Sequence, residues 1–285
     1  MLKIRIITAL VILPIVLVAL FAFPKWAWGL FTMGIALVGC WEWGRFCRLP
    51  RSGSFVFMLL SLCMGALILV AYLGTAPIHF EDLAFAGFVI SALFWIFVAP
   101  LWLVRTWRPQ APGGCWIMVI TGWVVVFPTW LAFLFLQQMS PWILLTFALI
   151  VWIADVAAYF VGKSIGRHKL APSISPGKTI EGAIGGMIGV ALYYFAWQML
   201  AGQAAARGHD WARELLSQSW LLFAMFLLLG VLSVLGDLFE SWMKRGVGMK
   251  DSSNLLPGHG GVLDRIDALT STLPVAGLYL MMLRV

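Results

Sequence analysis

The sequence predicts an all-α polytopic membrane protein of about nine transmembrane helices with its N-terminus in the cytoplasm. Three observations predict it: a surplus of apolar residues, their recurrence in runs of about twenty, and a one-sided distribution of Lys and Arg. Of 285 residues, 62% are hydrophobic and 11% charged, where a soluble domain carries about a quarter charged residues. That much apolar surface cannot be hidden in one globular core, so lipid must be its solvent. Sixteen Trp and twenty Phe agree, because aromatic side chains gather at membrane interfaces.

The apolar runs fall near 5–24, 27–44, 55–74, 83–104, 116–137, 142–162, 180–201, 219–241 and 266–283. Each approaches the roughly twenty residues a helical span requires. The runs are continuous rather than alternating, which favours helices over a closed barrel, the other structure that satisfies its backbone in lipid. Lys3 and Arg5 before the first run resemble a signal peptide, but the run is long and Pro24-Lys25 follows with no small-residue cleavage site. It reads as an uncleaved first span. Five spans occupy an N-terminal segment, 1–140, and four a C-terminal segment, 141–285, which also holds two long polar loops. No soluble domain, low-complexity tract or internal repeat is evident.

Orientation follows from the basic residues. With the N-terminus inside, the cytoplasmic segments hold Lys3, Arg5, Arg45, Arg48, Arg51, Arg105, Arg108, Lys163, Arg167, Lys169, Lys178, Lys244, Arg245, Lys250 and Arg265. Only Lys25, Arg207, Arg213 and Arg284 fall outside, a strong positive-inside bias. Both polar loops, 163–179 and 244–265, then face the cytoplasm of a multi-pass plasma membrane protein. The net charge of +7 is accounted for by these loops and by anionic lipid or nucleotide ligands, without nucleic acid. Cys40, Cys47, Cys63 and Cys115 show no metal-ligand spacing and read as small packed hydrophobes.

The acids carry the chemical information, since an ionised carboxylate in a membrane needs partners. Asp155 lies within the sixth span, Asp237 and Glu240 end the eighth, and Asp264 and Asp267 open the ninth. Asp237, Glu240, Ser241 and Lys244 share one helical stripe, and Asp264 and Asp267 share another. Two carboxylate pairs on successive helix ends suit a hard cation such as Mg²⁺, which prefers oxygen ligands. A plainer reading has the acids pairing only with Lys244, Arg245 and Arg265. Between the pairs, Pro257-Gly258-His259-Gly260-Gly261 must turn the chain sharply. Exposed N–H groups in such a turn can cradle phosphate.

The run Ser241-x-x-Lys244-Arg245-x4-Lys250-Asp251-x5-Pro257-x-His259-Gly260-Gly261-x2-Asp264-Arg265-x-Asp267 resembles the signature of the phosphatidate cytidylyltransferase family. No polar position departs from it. Ser175-Pro176-x-Lys178-Thr179-x-Glu181-Gly182, after Asp155-x3-Tyr159-x2-Gly162-Lys163, is similar to that family's other cytoplasmic segment. Gly177-Lys178-Thr179 is not a P-loop, because the first glycine would fall at Pro172 and a span follows. Gly182, Gly185, Gly186 and Gly189 read as a helix-packing face. The resemblance covers roughly 150–285; the first 140 residues match only in being hydrophobic and multi-span. Trp41-Glu42-Trp43 is a weak further detail, with Glu42 read as a solvated residue near a helix end.

The resemblance implies that a phosphate oxygen of phosphatidic acid attacks the α-phosphorus of CTP, giving CDP-diacylglycerol and pyrophosphate. It implies a centre of Asp237, Asp264 and Asp267 holding Mg²⁺, with a second cation as an option. Lys244, Arg245, Lys250 and His259 would bind phosphates. Ser175, Lys178, Thr179, Glu181, Ser241, Gly260, Gly261 and Arg265 would shape the pocket, with Asp155 a further candidate. The implied partners are CTP, phosphatidic acid, membrane lipids and a second copy in a homodimer; the implied location is the bacterial inner membrane, with the site facing the cytoplasm. Three alternatives stand beside this. A CTP-using lipid kinase would share a metal and phosphate pocket, a paralogue would take another acidic lipid, and a cation-coupled transporter would bury carboxylates.

Overall fold

The computed structural model describes residues 2–75, 77–104 and 116–283. Arg105, Arg108, Cys115 and Arg284, and the side chains of Lys3 and Arg5, lie outside what it describes. All nine apolar runs are helical. In chain order the helices are α1 Leu2–Ala22, α2 Lys25–Phe46, α3 Arg51–Leu73 and α4 Phe80–Leu93, which continues through a π turn, Phe94–Val98, into α5 Ala99–Val104. Then come α6 Trp116–Met139, α7 Pro141–Ile165, α8 Ile180–Ala206, a short α9 Asp210–Ser217, α10 Ser219–Gly246 and α11 Leu263–Leu283. Seven stretches are long and apolar enough to cross a membrane, counting Phe80–Val104 as one. The helices over the first two runs do not meet that measure on their own. The apolar part of α1 that can be assessed, Ile6–Ala22, is shorter, and α2 is diluted by Lys25, Glu42, Arg45 and four glycines.

Two elements were not foreseen. Residues 163–179, expected as loop, form an antiparallel hairpin of β1 Lys169–Ala171 and β2 Ser175–Thr179, with Lys169 opposite Thr179 and Ala171 opposite Ser175. Strands this short, containing Pro176 and Gly177, carry no alternation from which to be read. Helix α9 is a strongly amphipathic eight-residue helix whose Ala212 and Leu215 are buried.

Helix α6 is the hub of the bundle: 78% of its most apolar window is buried inside the protein. It packs on α2 and α4 and, across the chain, on α11, which also packs on α10 and α4. The N-terminal and C-terminal segments therefore share one core. Part of the tryptophan that suggested membrane interfaces lies inside instead: Trp43, Trp95, Trp130 and Trp242 are fully buried. Indole N–H groups tie helices together, Trp43 Nε1 donating to the Met118 carbonyl at 2.8 Å and Trp130 Nε1 to Thr32 Oγ1 at 2.9 Å. With no water in the hydrocarbon region, each such pairing spares a buried donor the cost of going unsatisfied.

The glycines in the first part of α8, Gly182, Gly185, Gly186 and Gly189, are consumed within the chain. A Cβ at Gly185 would strike Val161, one at Gly189 would strike Ala157, and one at Gly186 would lie 3.0 Å from the Ala154 carbonyl. Helices α7 and α8 thus meet along a small-residue seam.

Candidate active site

Local signals bring two loops to the same face of the bundle. Ser140 caps α7, accepting from Trp142 N, with Pro141 at the first helical position. After α7 the hairpin leads into α8, whose N-cap is Thr179: its Oγ1 accepts from Gly182 N at 3.1 Å. Helix α10 ends in a left-handed Gly248, with Met249 N donating to Lys244 O and Gly248 N to Arg245 O. That pattern satisfies the last carbonyls and turns the chain back. Leu256-Pro257-Gly258-His259 then makes a tight turn, with His259 N on Leu256 O at 2.9 Å and Gly258 at φ 74°. Pro at the second position and a positive-φ glycine at the third are what a type II turn demands.

The loop between α10 and α11 is organised around Asp264. Its Oδ1 receives Lys244 Nζ at 2.5 Å; its Oδ2 receives Ser252 N at 2.8 Å, Ser252 Oγ at 2.9 Å and Gly261 N at 2.7 Å. Lys244 also reaches Glu240 Oε2 at 3.1 Å, and all three side chains are buried. Gly260 and Gly261 are required by this crowding, since a Cβ at Gly260 would meet Asp264 Oδ2 and one at Gly261 would meet Ser252 Oγ and Glu42 Oε1.

Asp237 is different. It is half-buried, its Oδ2 lies 2.6 Å from Lys178 Nζ of the hairpin, and its Oδ1 accepts from Ser241 Oγ at 3.3 Å. This ion pair ties the 163–179 hairpin to α10. Asp155 of α7 lies within electrostatic reach of Asp237, Lys178 and Arg265, and Asp267 within reach of Asp237 and Glu240. The acids are sunk below the helix ends: Asp237 stands nine residues before the end of α10, about 14 Å along its axis.

The expected site residues therefore divide. Lys178, Asp267 and Asp155 lie within electrostatic reach of Asp237, while Lys244 and Asp264 are locked to one another. Asp237, Asp264 and Asp267 do not form a common cation cluster; among the described residues no group of three or more His, Cys, Asp or Glu is arranged to hold a metal. Thr179 spends its hydroxyl as a helix cap. Glu181 accepts from Arg167 N and His168 N and lies 2.6 Å from His168 Nδ1, fastening the hairpin to α8. Ser175 sits in the hairpin register. Arg245 is exposed and donates to the Met249 carbonyl at 3.1 Å. Lys250 and Arg265 are exposed, and His259 is half-buried with no partner for Nδ1.

Sequence reasoning missed Glu42. It is not solvated: it is 0% exposed, and its two oxygens accept four hydrogen bonds, from Ser252 Oγ, Ser253 Oγ, Val262 N and Leu263 N. Its partners lie more than two hundred residues away, so only its position between two tryptophans in an apolar run could have drawn notice. Ser252 and Ser253 carried no signal of their own.

Long apolar helices carrying carboxylates paired with lysines define an integral membrane protein with a charged site. The profile described as the cytidylyltransferase family matches residues 3–283, and the chain belongs to that family. It is 37% identical over 277 residues to the phosphatidate cytidylyltransferase of Pseudomonas aeruginosa, covering 96% of this chain and 95% of that protein. It is 33% identical over 296 residues to that of Haemophilus influenzae, covering 96% of each. With that of Staphylococcus aureus strain COL it shares 42% identity over 137 residues, 46% of each chain. The likeness thus extends through the N-terminal helices, beyond the motifs of 150–285.

Proposed function

We propose that this chain transfers the cytidylyl group of CTP to phosphatidic acid, giving CDP-diacylglycerol and pyrophosphate. Family membership over the whole chain supports the activity. The observation that carries the site is the Lys178–Asp237 pair, which ties the 163–179 hairpin to α10 within electrostatic reach of Asp155. A phosphate oxygen of the lipid forms the new bond to the α-phosphorus, the α–β bridging bond breaks, and pyrophosphate departs with the electron pair. The nucleophile is already an anion, so no strong base is needed; placement and charge neutralisation supply the rate.

A divalent cation fits part of the expected set. Asp237 and Asp267 offer two oxygen ligands, and the rest of the coordination shell would come from water and substrate phosphates. Asp264 does not fit, because both of its oxygens are already engaged. When bound there, Mg²⁺ would neutralise phosphate charge and polarise the group under attack. Lys178 and Arg265, both within electrostatic reach of Asp155, would bind phosphate oxygens, while Lys250 and His259 would receive the nucleotide at the 250–262 loop. Lys244, tied to Asp264 and Glu240, would hold the floor of the site rather than leave it for substrate.

The positive-inside bias supports a cytoplasmic opening in a bacterial inner membrane, through which CTP enters. Asp155, exposed on a membrane helix, supports a lateral opening towards lipid. The family resemblance supports a homodimer, whose interface would lie away from the α8 glycines, since these are used against α7.

The test uses purified protein in detergent with Mg²⁺, phosphatidic acid and CTP labelled separately at the α and γ phosphates. The expected result is α label in lipid and γ label in pyrophosphate. γ label in lipid would mean a kinase instead. No transfer by folded protein would point to another acidic lipid or to transport.

A further inference from the structure

The end of α2 grips the loop that the C-terminal motif encodes. Arg45 donates to the Ser252 carbonyl at 2.5 Å and Arg48 to the Val247 carbonyl at 2.9 Å. Deeper in, Glu42 takes Ser253 Oγ at 2.5 Å and Val262 N at 2.9 Å on Oε1, with Ser252 Oγ at 3.1 Å and Leu263 N at 2.7 Å on Oε2. No cation pairs with Glu42 among the described residues; its charge is met by three donors and by the Ser252 hydroxyl, whose one hydrogen is shared with Asp264. Two of the three are backbone N–H groups at the start of α11, where a helix favours negative charge. Ser252 Oγ stands between Glu42 Oε2 and Asp264 Oδ2, so the polar chain runs from α2 through the loop to Asp264, Lys244 and Glu240.

We propose that Glu42 is a positioning residue for nucleotide binding, holding the 250–262 loop and the start of α11 in the conformation that receives CTP. The inference rests on the cytidylyl-transfer reading of the site. Glu42 touches no reacting atom; it acts through Ser252, Ser253 and the two backbone amides. The clamp depends on a carboxylate, not only on shape. In Glu42→Gln, either orientation of the amide turns its NH₂ towards one of the two backbone N–H groups, which cannot rotate away as a serine hydroxyl can. The fit is close, since a Cβ at Gly261 would strike Glu42 Oε1.

The test compares Glu42→Gln and Ser253→Ala with the native protein, each purified and normalised to folded fraction, with KM and kcat measured separately for CTP and for phosphatidic acid. The expected result for Glu42→Gln is a KM for CTP raised about tenfold, equivalent to about 1.4 kcal/mol, with the KM for phosphatidic acid within about twofold of native. Ser253→Ala should move the same constant in the same direction by less. Adding it to Glu42→Gln should change little, because both act on one contact. Equal loss towards both substrates, or a loss explained wholly by less folded protein, would overturn the proposal. So would an unchanged KM for CTP in Ser253→Ala, should Glu42→Gln not fold. If the native protein transfers no cytidylyl group, the functional reading itself fails; if it does and the variants match it, only the role of Glu42 fails.

Discussion

Asp237 and Asp264 look interchangeable in the sequence, each an acid at the same end of a membrane helix, yet the protein treats them in opposite ways. Asp264 is buried, with all of its accepting capacity used by Lys244, Ser252 and Gly261. Asp237, in α10, is half-exposed and among the described residues is held by Lys178 of the hairpin and by its own neighbour Ser241. The difference separates construction from chemistry. A carboxylate that organises backbone amides and a buried lysine has both oxygens engaged, whereas one held by a single partly exposed lysine can exchange that cation for substrate or metal.

The largest effect expected is at Asp264. Asp264→Ala should abolish turnover and also lower stability by about 3–5 kcal/mol, because it leaves Lys244 buried with an incomplete partner set. Thermal unfolding in detergent measures this, and a native-like midpoint would break the comparison. Asp237→Asn should cost about 10²–10³ in turnover while shifting stability by less than about 1 kcal/mol, since the pair it breaks is partly exposed. Retained activity there would remove Asp237 from the chemistry.

Lys178→Met sharpens the same contrast from the other side. It should lower kcat/KM about tenfold, worth about 1.4 kcal/mol, and leave the unfolding midpoint close to native. A large loss of stability would mean that the Lys178–Asp237 pair is structural after all. The smallest effect belongs to His168→Ala, which removes an exposed contact of Glu181 but leaves the backbone donors that fasten the hairpin; activity within twofold of native is expected.

How much of this could be read from the chain depends on the range of each interaction. The spans were legible because apolar continuity is a local property, and the acids because a charge in an apolar run is conspicuous. The common face of the two polar loops followed from the placement of Lys and Arg. What stayed hidden depends on partners distant in sequence. Glu42 meets Ser252 across 210 positions, and nothing in its own surroundings says whether it is solvated or saturated. The same gap blurred Asp237 and Asp264, since spacing gives the helix face but not the donors waiting there. Thr179 and Glu181 were placed in the pocket by motif, while local geometry commits them to a cap and a hairpin clasp.

The glycine seam between α7 and α8 bears on how the site can move. Side chains at Val161, Ala157 and Ala158 fill the notches over Gly185, Gly189 and Gly186, so the two helices cannot slide past one another without collision. The hairpin they carry, and Lys178 with it, is therefore mounted on a stiff two-helix lever. Any change in the distance from Lys178 to Asp237 that exceeds the reach of the lysine side chain requires that lever to tilt against α10. Collective helix motions of this kind run on microsecond to millisecond timescales, far slower than the side-chain rotations by which the lysine alone moves.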